Sequence, residues 1–297
     1  MTRLKFVLLT IVALVAIIGL IIAFASPPAV LNFINSHTPG DGNAHEVAEG
    51  VAYGPDAAQK LNVWAPKDSK PGQTYPVLVF YYGGGWVKGS RGEYDFAARA
   101  YAARGFVVVV PDYRLVPAVH FPVFVQDSAL AVKWTRDNVA RFGGDPRRIT
   151  LGGHSAGAYN AAMLALDPHW LRDIGVDPKI VRAAALLAGP YDFYPFDKKR
   201  SIDAMSNWPR PLETQPIRFA AKDSPPLWLA AGTADDVVRP YNSERLAAKL
   251  KGLGATVELR LYPGKSHNDL IMGISKPLRG RAPTLQESVD FLHAHAR

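Results

Sequence analysis

The stretch Ile149-Thr150-Leu151-Gly152-Gly153-His154-Ser155-Ala156-Gly157 joins an apolar, strand-like segment to the start of a small-residue helix predicted at residues 156–166. Gly-x-Ser-x-Gly lies at the junction and is filled here by Gly153, Ser155 and Gly157. A sharp strand-to-helix turn holds its central residue in strained backbone geometry and lifts that side chain above the sheet. Ser155 is therefore the candidate nucleophile of this chain.

Strand-like and helix-like segments alternate along most of the sequence. Strands are predicted at residues 51–54, 61–64, 76–82, 106–110, 149–153, 183–188, 227–231 and 257–262, and helices at residues 94–104, 126–142, 156–166, 241–250 and 285–295. This alternation favours an α/β fold, with a mostly parallel central sheet of about eight strands flanked by helices. Ligands bind beyond the carboxyl ends of the strands in such sheets, so the site is expected in the loops that follow them.

The N-terminus carries an apolar run at residues 6–25, which as a helix would span roughly 30 Å, the thickness of a bilayer's hydrocarbon core. Arg3 and Lys5 precede the run, and the next Lys or Arg is Lys60. The positive-inside rule then predicts a single-pass anchor in the cytoplasmic (inner) membrane, with the rest of the chain on the extracytoplasmic or periplasmic side. The competing interpretation is export after signal cleavage near Ala25, although signal peptides usually have apolar cores of only ~7–15 residues.

The remainder of the chain is interpreted as a linker and one domain. Residues 26–50 are rich in Pro, Gly, Asn and Asp, which is typical of a linker. Residues 51–297 form the predicted α/β domain. Within it, residues 191–223 lack clear periodicity and carry several prolines and aromatics, so we interpret them as a short lid-like insertion over the site.

The composition allows one large core and excludes several classes of function. The chain has 297 residues, of which 48% are hydrophobic, so a second domain is not required. The formal net charge is +8, but Lys and Arg are scattered and form no basic stripe with aromatics, which argues against nucleic-acid binding. The chain has no cysteine, so disulfides, thiolate nucleophiles and cysteine-based metal sites are excluded.

A serine hydroxyl needs a base to accept its proton, and the histidines are the candidates. His267 lies a few residues past the predicted strand at 257–262 and is the predicted base. His154 is expected to pack against the sheet, because neighbouring side chains on the turn diverge. The imidazole needs a carboxylate to fix its tautomer, and Asp235 and Asp236 both follow the strand at 227–231. We choose Asp235, the first after the turn, and Asp236 stays the alternative.

Attack on a carbonyl group builds an oxyanion, which needs hydrogen-bond donors already in place. Gly83-Gly84-Gly85 follows a predicted strand directly, so we assign the N–H groups of Gly84 and Gly85, together with that of Ala156 at the helix start. Phosphate binding is the alternative for a glycine-rich loop. It is disfavoured because neither this loop nor Gly264-Lys265-Ser266 has the spacing of a phosphate-binding motif.

Five motifs occur in the order typical of one superfamily. They are Tyr82-Gly83-Gly84-Gly85-Trp86, Asp112-Tyr113-Arg114-Leu115, Gly153-His154-Ser155-Ala156-Gly157, Gly232-Thr233-Ala234-Asp235-Asp236 and His267-Asn268-Asp269. Together they resemble the α/β-hydrolase superfamily in its esterase branch, which includes hormone-sensitive-lipase-like, feruloyl and acetyl-xylan esterase-like and kynurenine-formamidase-like enzymes. The resemblance covers residues 51–297 and implies the α/β-hydrolase fold. One departure is Tyr82, since the family usually has His at that position, where the side chain braces the loop.

The resemblance implies a serine hydrolase that cleaves carboxylic esters of small molecules through an acyl-enzyme, without a metal or an organic cofactor. Ser155, Asp235 and His267 would form the catalytic triad. Tyr82, Trp86 and Tyr191 are candidates for the substrate pocket. Two alternatives stay open, namely amide or formamide hydrolysis by the same residues and a catalytically silent binding module on the same fold.

Overall fold

The computed structural model describes residues 26–67 and 72–296. The strands are β1 (Ala44–Ala52), β2 (Lys60–Pro66), β3 (Tyr75–Tyr81), β4 (Val107–Pro111), β5 (Gly144–His154), β6 (Val181–Leu187), β7 (Leu227–Gly232) and β8 (Val257–Tyr262). The helices are α1 (Pro27–His37), α2 (Asp95–Ala102), α3 (Val123–Asn138), α4 (Ala156–Leu166), α5 (His169–Arg172), α6 (Lys199–Met205), α7 (Tyr241–Gly252), α8 (His267–Met272) and α9 (Thr284–His295). Strands and helices therefore alternate from β3 onward.

The described strands form one eight-stranded sheet in the order β1-β2-β4-β3-β5-β6-β7-β8. β1 and β2 are antiparallel, as are β2 and β4, while every pairing from β4 to β8 along the sheet is parallel. The prediction of a mostly parallel, helix-flanked sheet of about eight strands is confirmed. The parallel part brings the loops after β3, β5, β7 and β8 to a common edge.

The core lies at the centre of this sheet. Every residue of β3 and of β7 is buried, because helices cover both faces of a parallel sheet. Helix α4 packs close behind β3, and Gly157 permits this approach. A Cβ built on Gly157 would lie 2.0 Å from the carbonyl oxygen of Tyr81, far inside any allowed contact. The second glycine of the Gly-x-Ser-x-Gly motif is thus required by packing.

Residues 26–50, interpreted above as a linker, fold onto the domain as α1 and the first part of β1. Ser26 caps α1 by accepting a hydrogen bond from the N–H of Ala29, and prolines fill the first helical turn. The Asn35 side chain then accepts from the N–H of Lys276 at 2.8 Å. The interpretation is corrected because Ser and Pro, taken as linker residues, here begin a helix.

The predicted anchor at residues 6–25 lies outside the described residues and stays a prediction. Among residues 26–67 and 72–296, no helix is both long and apolar enough to span a bilayer.

The predicted lid-like insertion at residues 191–223 carries α6 and two 3-10 turns, Pro211–Thr214 and Pro216–Phe219. Phe193 at its start stacks on Trp86, which follows β3, with ring centroids 6.3 Å apart. The insertion therefore lies against the edge of the sheet at which the predicted site residues end their strands.

Candidate active site

Ser155 occupies the turn between β5 and α4 in a backbone conformation that side chains rarely adopt. Its φ is 55° and its ψ is −122°. A non-glycine residue with positive φ is strained and persists only where the surroundings enforce it. Here the N–H of Ser155 donates to the carbonyl oxygen of Leu187 at 2.9 Å, which ties the turn to β6. The Ser155 side chain lines a cavity at the carboxyl edge of the sheet.

His267 and Asp235 meet across the loops that follow β8 and β7. The Nδ1 atom of His267 lies 2.7 Å from Oδ2 of Asp235, and both side chains are buried. The other carboxylate oxygen, Oδ1, accepts from the N–H groups of Val237 at 3.0 Å and Val238 at 2.8 Å. Asp236, the alternative carboxylate, is exposed. The structure thus brings Asp235 to His267, and these two amide donors were not foreseen from the sequence.

His267 is also the first residue of α8, and its backbone is fixed by a capping box. The N–H of Ser266 donates to Oδ2 of Asp269 at 2.9 Å, and the Ser266 hydroxyl donates to the same oxygen at 2.7 Å. These bonds, with the guanidinium of Arg281 nearby, lower the pKa of Asp269 to about 2. The carboxylate therefore stays charged across the physiological range and keeps the start of α8 in place.

The hydroxyl of Ser155 forms no hydrogen bond with any group in the part of the chain that the structure describes. The imidazole is therefore oriented by Asp235 but not yet bonded to the candidate nucleophile. A hydrogen bond between a nucleophile and its base often tightens only when substrate binds.

His154, the residue before the candidate nucleophile, is buried and contacts both the backbone and the ring of His267. Its Nε2–H donates to the backbone carbonyl oxygen of His267 at 3.2 Å, and the two rings lie 4.8 Å apart. Burial, followed by the neighbouring His267, lowers the pKa of His154 well below its ordinary value, so this ring is neutral. His154 is buried, in keeping with the prediction that it packs against the sheet, but its bond to His267 was not foreseen from the sequence.

The glycine ridge after β3 exposes backbone amides. Gly84 and Gly85 have φ values of 141° and 63°, and a Cβ on Gly84 would lie 1.9 Å from the carbonyl oxygen of Lys88. The N–H groups of Gly84, Gly85 and Ala156 donate to no acceptor among the described backbone groups. Gly85 and Ala156 line the cavity with Ser155, whereas Gly84 does not. Two of the three predicted donors thus reach the cavity.

Of the three predicted pocket residues, Trp86 alone lines this cavity. Its indole N–H donates to Oδ1 of Asn160 at 3.1 Å, which fixes the ring. Tyr82 instead stacks on Tyr113 with ring centroids 4.5 Å apart, and a Cβ built on Gly89 would lie 2.7 Å from its ring. Tyr191 is fully buried. Both tyrosines are corrected to packing roles, because their rings point into the core. Among residues 26–67 and 72–296, no cluster of three or more His, Asp or Glu could hold a metal ion.

Comparison with known proteins gives consistent matches. A family model described as BD-FAE matches residues 61–250. Esterase LipC of Mycobacterium tuberculosis (strain ATCC 25618 / H37Rv) is 32% identical over 246 residues, covering 75% of this chain and 60% of that protein. Probable isoprenylcysteine alpha-carbonyl methylesterase ICMEL1 of Oryza sativa subsp. japonica is 31% identical over 271 residues, covering 84% of this chain and 63% of that protein. The chain thus spans about three fifths of the length of these curated relatives.

Solved structures agree with these sequence matches. Esterase 2 of the Planctomycetes species Thermogutta terrifontis, with butyrate bound, superposes with a TM-score of 0.71 at 25% identity, covering 86% of this chain and 95% of that chain. The same esterase phosphonylated by cyclosarin gives a TM-score of 0.71 at 26% identity, covering 86% of this chain and 96% of that chain. The overall fold of the sheet and its flanking helices is therefore shared with a structurally characterised esterase.

Proposed function

The chain belongs to the BD-FAE family, in the esterase branch of the α/β-hydrolases, and from this premise we propose that it is a carboxylesterase-type serine hydrolase. The observation that carries the proposal is the 2.7 Å contact between His267 Nδ1 and Asp235 Oδ2, at the same edge of the sheet as the strained Ser155. Because Nδ1 is bound by the carboxylate, Nε2 is the ring nitrogen left to serve the hydroxyl.

The proposed reaction passes through an acyl-enzyme. Ser155 Oγ attacks the ester carbonyl carbon while its proton passes to Nε2 of His267. Asp235 holds the Nδ1–H and stabilises the imidazolium that forms. The tetrahedral intermediate then collapses, the bond to the alcohol oxygen breaks, and the alcohol leaves with the proton from His267. Water, activated by the same imidazole, attacks the acyl carbon and releases the carboxylic acid and the free hydroxyl of Ser155.

Backbone amides stabilise the negative charge of that intermediate. We assign the N–H groups of Gly85 and Ala156, which line the cavity with Ser155 and have no acceptor of their own among the described backbone groups. Amides fixed in a loop and at a helix start need no reorganisation when charge develops, and one such donor is typically worth roughly a hundred- to a thousandfold in rate. The N–H of Gly84 stays a predicted donor.

We propose small carboxylic esters as substrates, because the relatives named above are esterases and the Thermogutta terrifontis enzyme holds butyrate. The aromatic wall of Trp86 and Phe193 suits a short acyl or alcohol group. Amide or formamide hydrolysis proceeds through the same kind of oxyanion and stays the second candidate. A comparison of matched ester, amide and formamide substrates distinguishes them.

The test is Ser155→Ala. With the nucleophile removed, we expect the kcat for a short-chain p-nitrophenyl ester to fall by about 10⁴-fold or more, because triad members act as one unit. A fluorophosphonate probe should label the wild-type protein and not the variant. A thermal melt of both proteins controls for folding. Full turnover by a folded Ser155→Ala protein would exclude this mechanism, and a folded wild type that neither turns over nor labels would favour a silent binding module.

We also propose that residues 6–25 hold the protein in the cytoplasmic membrane, with the hydrolase domain on the extracytoplasmic side. The length of the apolar run and the basic residues before it support this topology. The full chain should then remain in the membrane pellet after an alkaline carbonate wash. Release into the supernatant would contradict the anchor and favour cleavage near Ala25.

A further inference from the structure

Basic side chains gather around the candidate nucleophile. Lys198, Arg200 and Arg239 line the cavity that also holds Ser155. Among the described residues that line this cavity, Asp197 is the one carboxylate, so positive charge is in excess. Lys198 and Arg200 come from the insertion after β6, whereas Arg239 follows β7. Two distant segments therefore bring cations to the same opening.

Arg200 lies directly against the glycine ridge. A Cβ built on Gly85 would be 2.5 Å from Cδ of Arg200, so the aliphatic stem of this arginine covers the face of that glycine. Gly85 supplies one of the proposed oxyanion donors. The guanidinium group at the end of this stem therefore lies near the position at which the carbonyl group of a bound ester would react.

Arg239 belongs to the same loop as the carboxylate that orients His267. The N–H groups of Val237 and Val238 bind Oδ1 of Asp235, so the backbone immediately before Arg239 is fixed. Arg239 lines the same cavity as Lys198 and Arg200, although the loop after β7 carries it. Because the backbone before it is fixed, Arg239 stays at the cavity that Ser155 lines.

Arg200 and Arg239 differ in their surroundings from a neighbouring arginine. Arg245 pairs with Asp192 at 2.8 Å and stacks on Tyr241 at 4.6 Å. Within the part of the chain that the structure describes, Arg200 and Arg239 have neither a carboxylate partner nor an aromatic ring beneath them. Unpaired arginines in a concave site favour binding of a carboxylate, which the planar guanidinium matches in geometry.

We propose that the preferred substrates are esters that carry a free carboxylate, bound by Arg200 and Arg239 while Ser155 attacks the ester carbonyl carbon. This inference rests on the proposed hydrolase function and adds the substrate class. The aromatic wall of Trp86 and Phe193 contacts the apolar part of such a molecule, so neutral short esters remain slower substrates of the same site.

The test uses the full chain and two pairs of esters that are similar in shape but differ in charge. Monomethyl glutarate and methyl hexanoate differ on the acyl side, and O-acetylglycolate and propyl acetate differ on the alcohol side. Proton release measures hydrolysis. We expect kcat/KM for at least one anionic ester to exceed that of its neutral partner. The preference should shrink as ionic strength rises from about 0.01 M to about 0.5 M, because salt screens exposed charges.

The variants Arg200→Gln and Arg239→Gln test the two side chains. Each should lower kcat/KM for the preferred anionic ester about tenfold, mainly through KM, and change the neutral partner by less than about threefold. Glutamine keeps part of the aliphatic stem that covers Gly85. Arg218→Gln is the control, because that side chain is exposed, has no ion pair among the described residues and does not line the cavity.

The possible results distinguish a failure of the carboxylate proposal from a failure of the proposed hydrolase function. Cleavage of neutral esters without any preference for charge, or an equal loss for both members of a pair in the arginine variants, would overturn the carboxylate proposal and leave the hydrolase standing. No cleavage of any of the four esters by folded protein would overturn both. A loss confined to the anionic ester, absent in Arg218→Gln, supports the proposal.

Discussion

Asp235 has both carboxylate oxygens engaged, and this makes it the best test of the site at the scale of one residue. Oδ2 contacts His267 Nδ1 at 2.7 Å, and Oδ1 accepts two backbone N–H groups. A carboxylate held in this way fixes both the tautomer and the direction of the ring. Its removal should therefore affect catalysis far more than substrate binding.

We predict that Asp235→Asn lowers kcat for a short-chain ester by about a thousandfold or more, with KM nearly unchanged, because the amide can favour the wrong imidazole tautomer. The measurement is steady-state kinetics on the wild type, on Asp235→Asn and on the corresponding variant of Asp236. Asp236→Asn is the matched control, since Asp236 is adjacent in sequence but exposed. If Asp236→Asn instead caused the larger loss, the choice between the two carboxylates would be reversed.

The residues that the sequence could indicate are those that follow predicted strands in a fixed order. Ser155 and His267 belong to this group, because a strand period and a polar turn are local features. The contact between His154 and the His267 carbonyl oxygen is not a local feature, since it joins positions 113 residues apart. The position of Arg200 over Gly85 could not be predicted either, because it depends on how the insertion at residues 191–223 folds. Local pattern indicated Ser155, His267 and Asp235 but not the long-range contacts that support them.

At the scale of secondary structure, the contact between α4 and β3 decides where the serine is held. Gly157→Ala would place a Cβ 2.0 Å from the Tyr81 carbonyl oxygen and 2.4 Å from that of Tyr82. Neither backbone atom can move without shifting the central strand. We predict a loss of about 3 kcal/mol or more in the free energy of unfolding, measured by denaturant titration, at the upper end of what overpacking costs.

The control for that loss is another glycine in a helix. A Cβ on Gly252, at the end of α7, meets nothing within 4 Å. Gly252→Ala should therefore leave the free energy of unfolding unchanged or raise it by up to about 1 kcal/mol. Equal destabilisation by both substitutions would mean that backbone flexibility, not the contact with β3, accounts for the effect of Gly157→Ala.

Strands with continuous apolar sequences were easier to predict than a helix whose start is marked by prolines. The buried strands β3 and β7 read as continuous apolar runs, which is how strands covered on both faces appear in a sequence. Helix α1 was missed because its first turn contains Pro27 and Pro28, and its packing uses polar contacts such as Asn32 with the Gly92 carbonyl oxygen at 2.8 Å. Prolines at a helix start and in a loop cannot be told apart by composition.

At the scale of the whole molecule, two buried carboxyl groups at the antiparallel edge of the sheet make the free energy of unfolding depend on pH. Glu46 on β1 and Asp95 at the start of α2 each have a buried carboxylate oxygen without a hydrogen-bond partner in the described chain. Burial, then Asp95 and Glu49, raise the pKa of Glu46 to about 7, although Arg91 and Arg99 act in the opposite direction. Burial likewise raises the pKa of Asp95 to about 6.

Because these pKa values are higher in the folded than in the unfolded state, the folded protein binds more protons between about pH 4 and pH 7. This contribution to stability is complete below the unfolded pKa of each group and is lost as pH rises through the folded value. Asp269, whose pKa is lowered to about 2, acts in the opposite sense and costs stability only as pH falls towards that value. The two effects therefore occupy different pH windows.

We predict that Glu46→Gln raises the free energy of unfolding at pH 8 relative to wild type and has little effect near pH 4, since only the charged form is penalised. The Glu46 side chain is half-buried, so solvent screening limits the gain to roughly 1 kcal/mol or less. Denaturant titrations at pH 4, 6 and 8 measure it, with Asp223→Asn as an exposed control. A difference that is the same at all three pH values would show that Glu46 acts through packing, because a carboxylate with a raised pKa must lose its disadvantage once it is protonated.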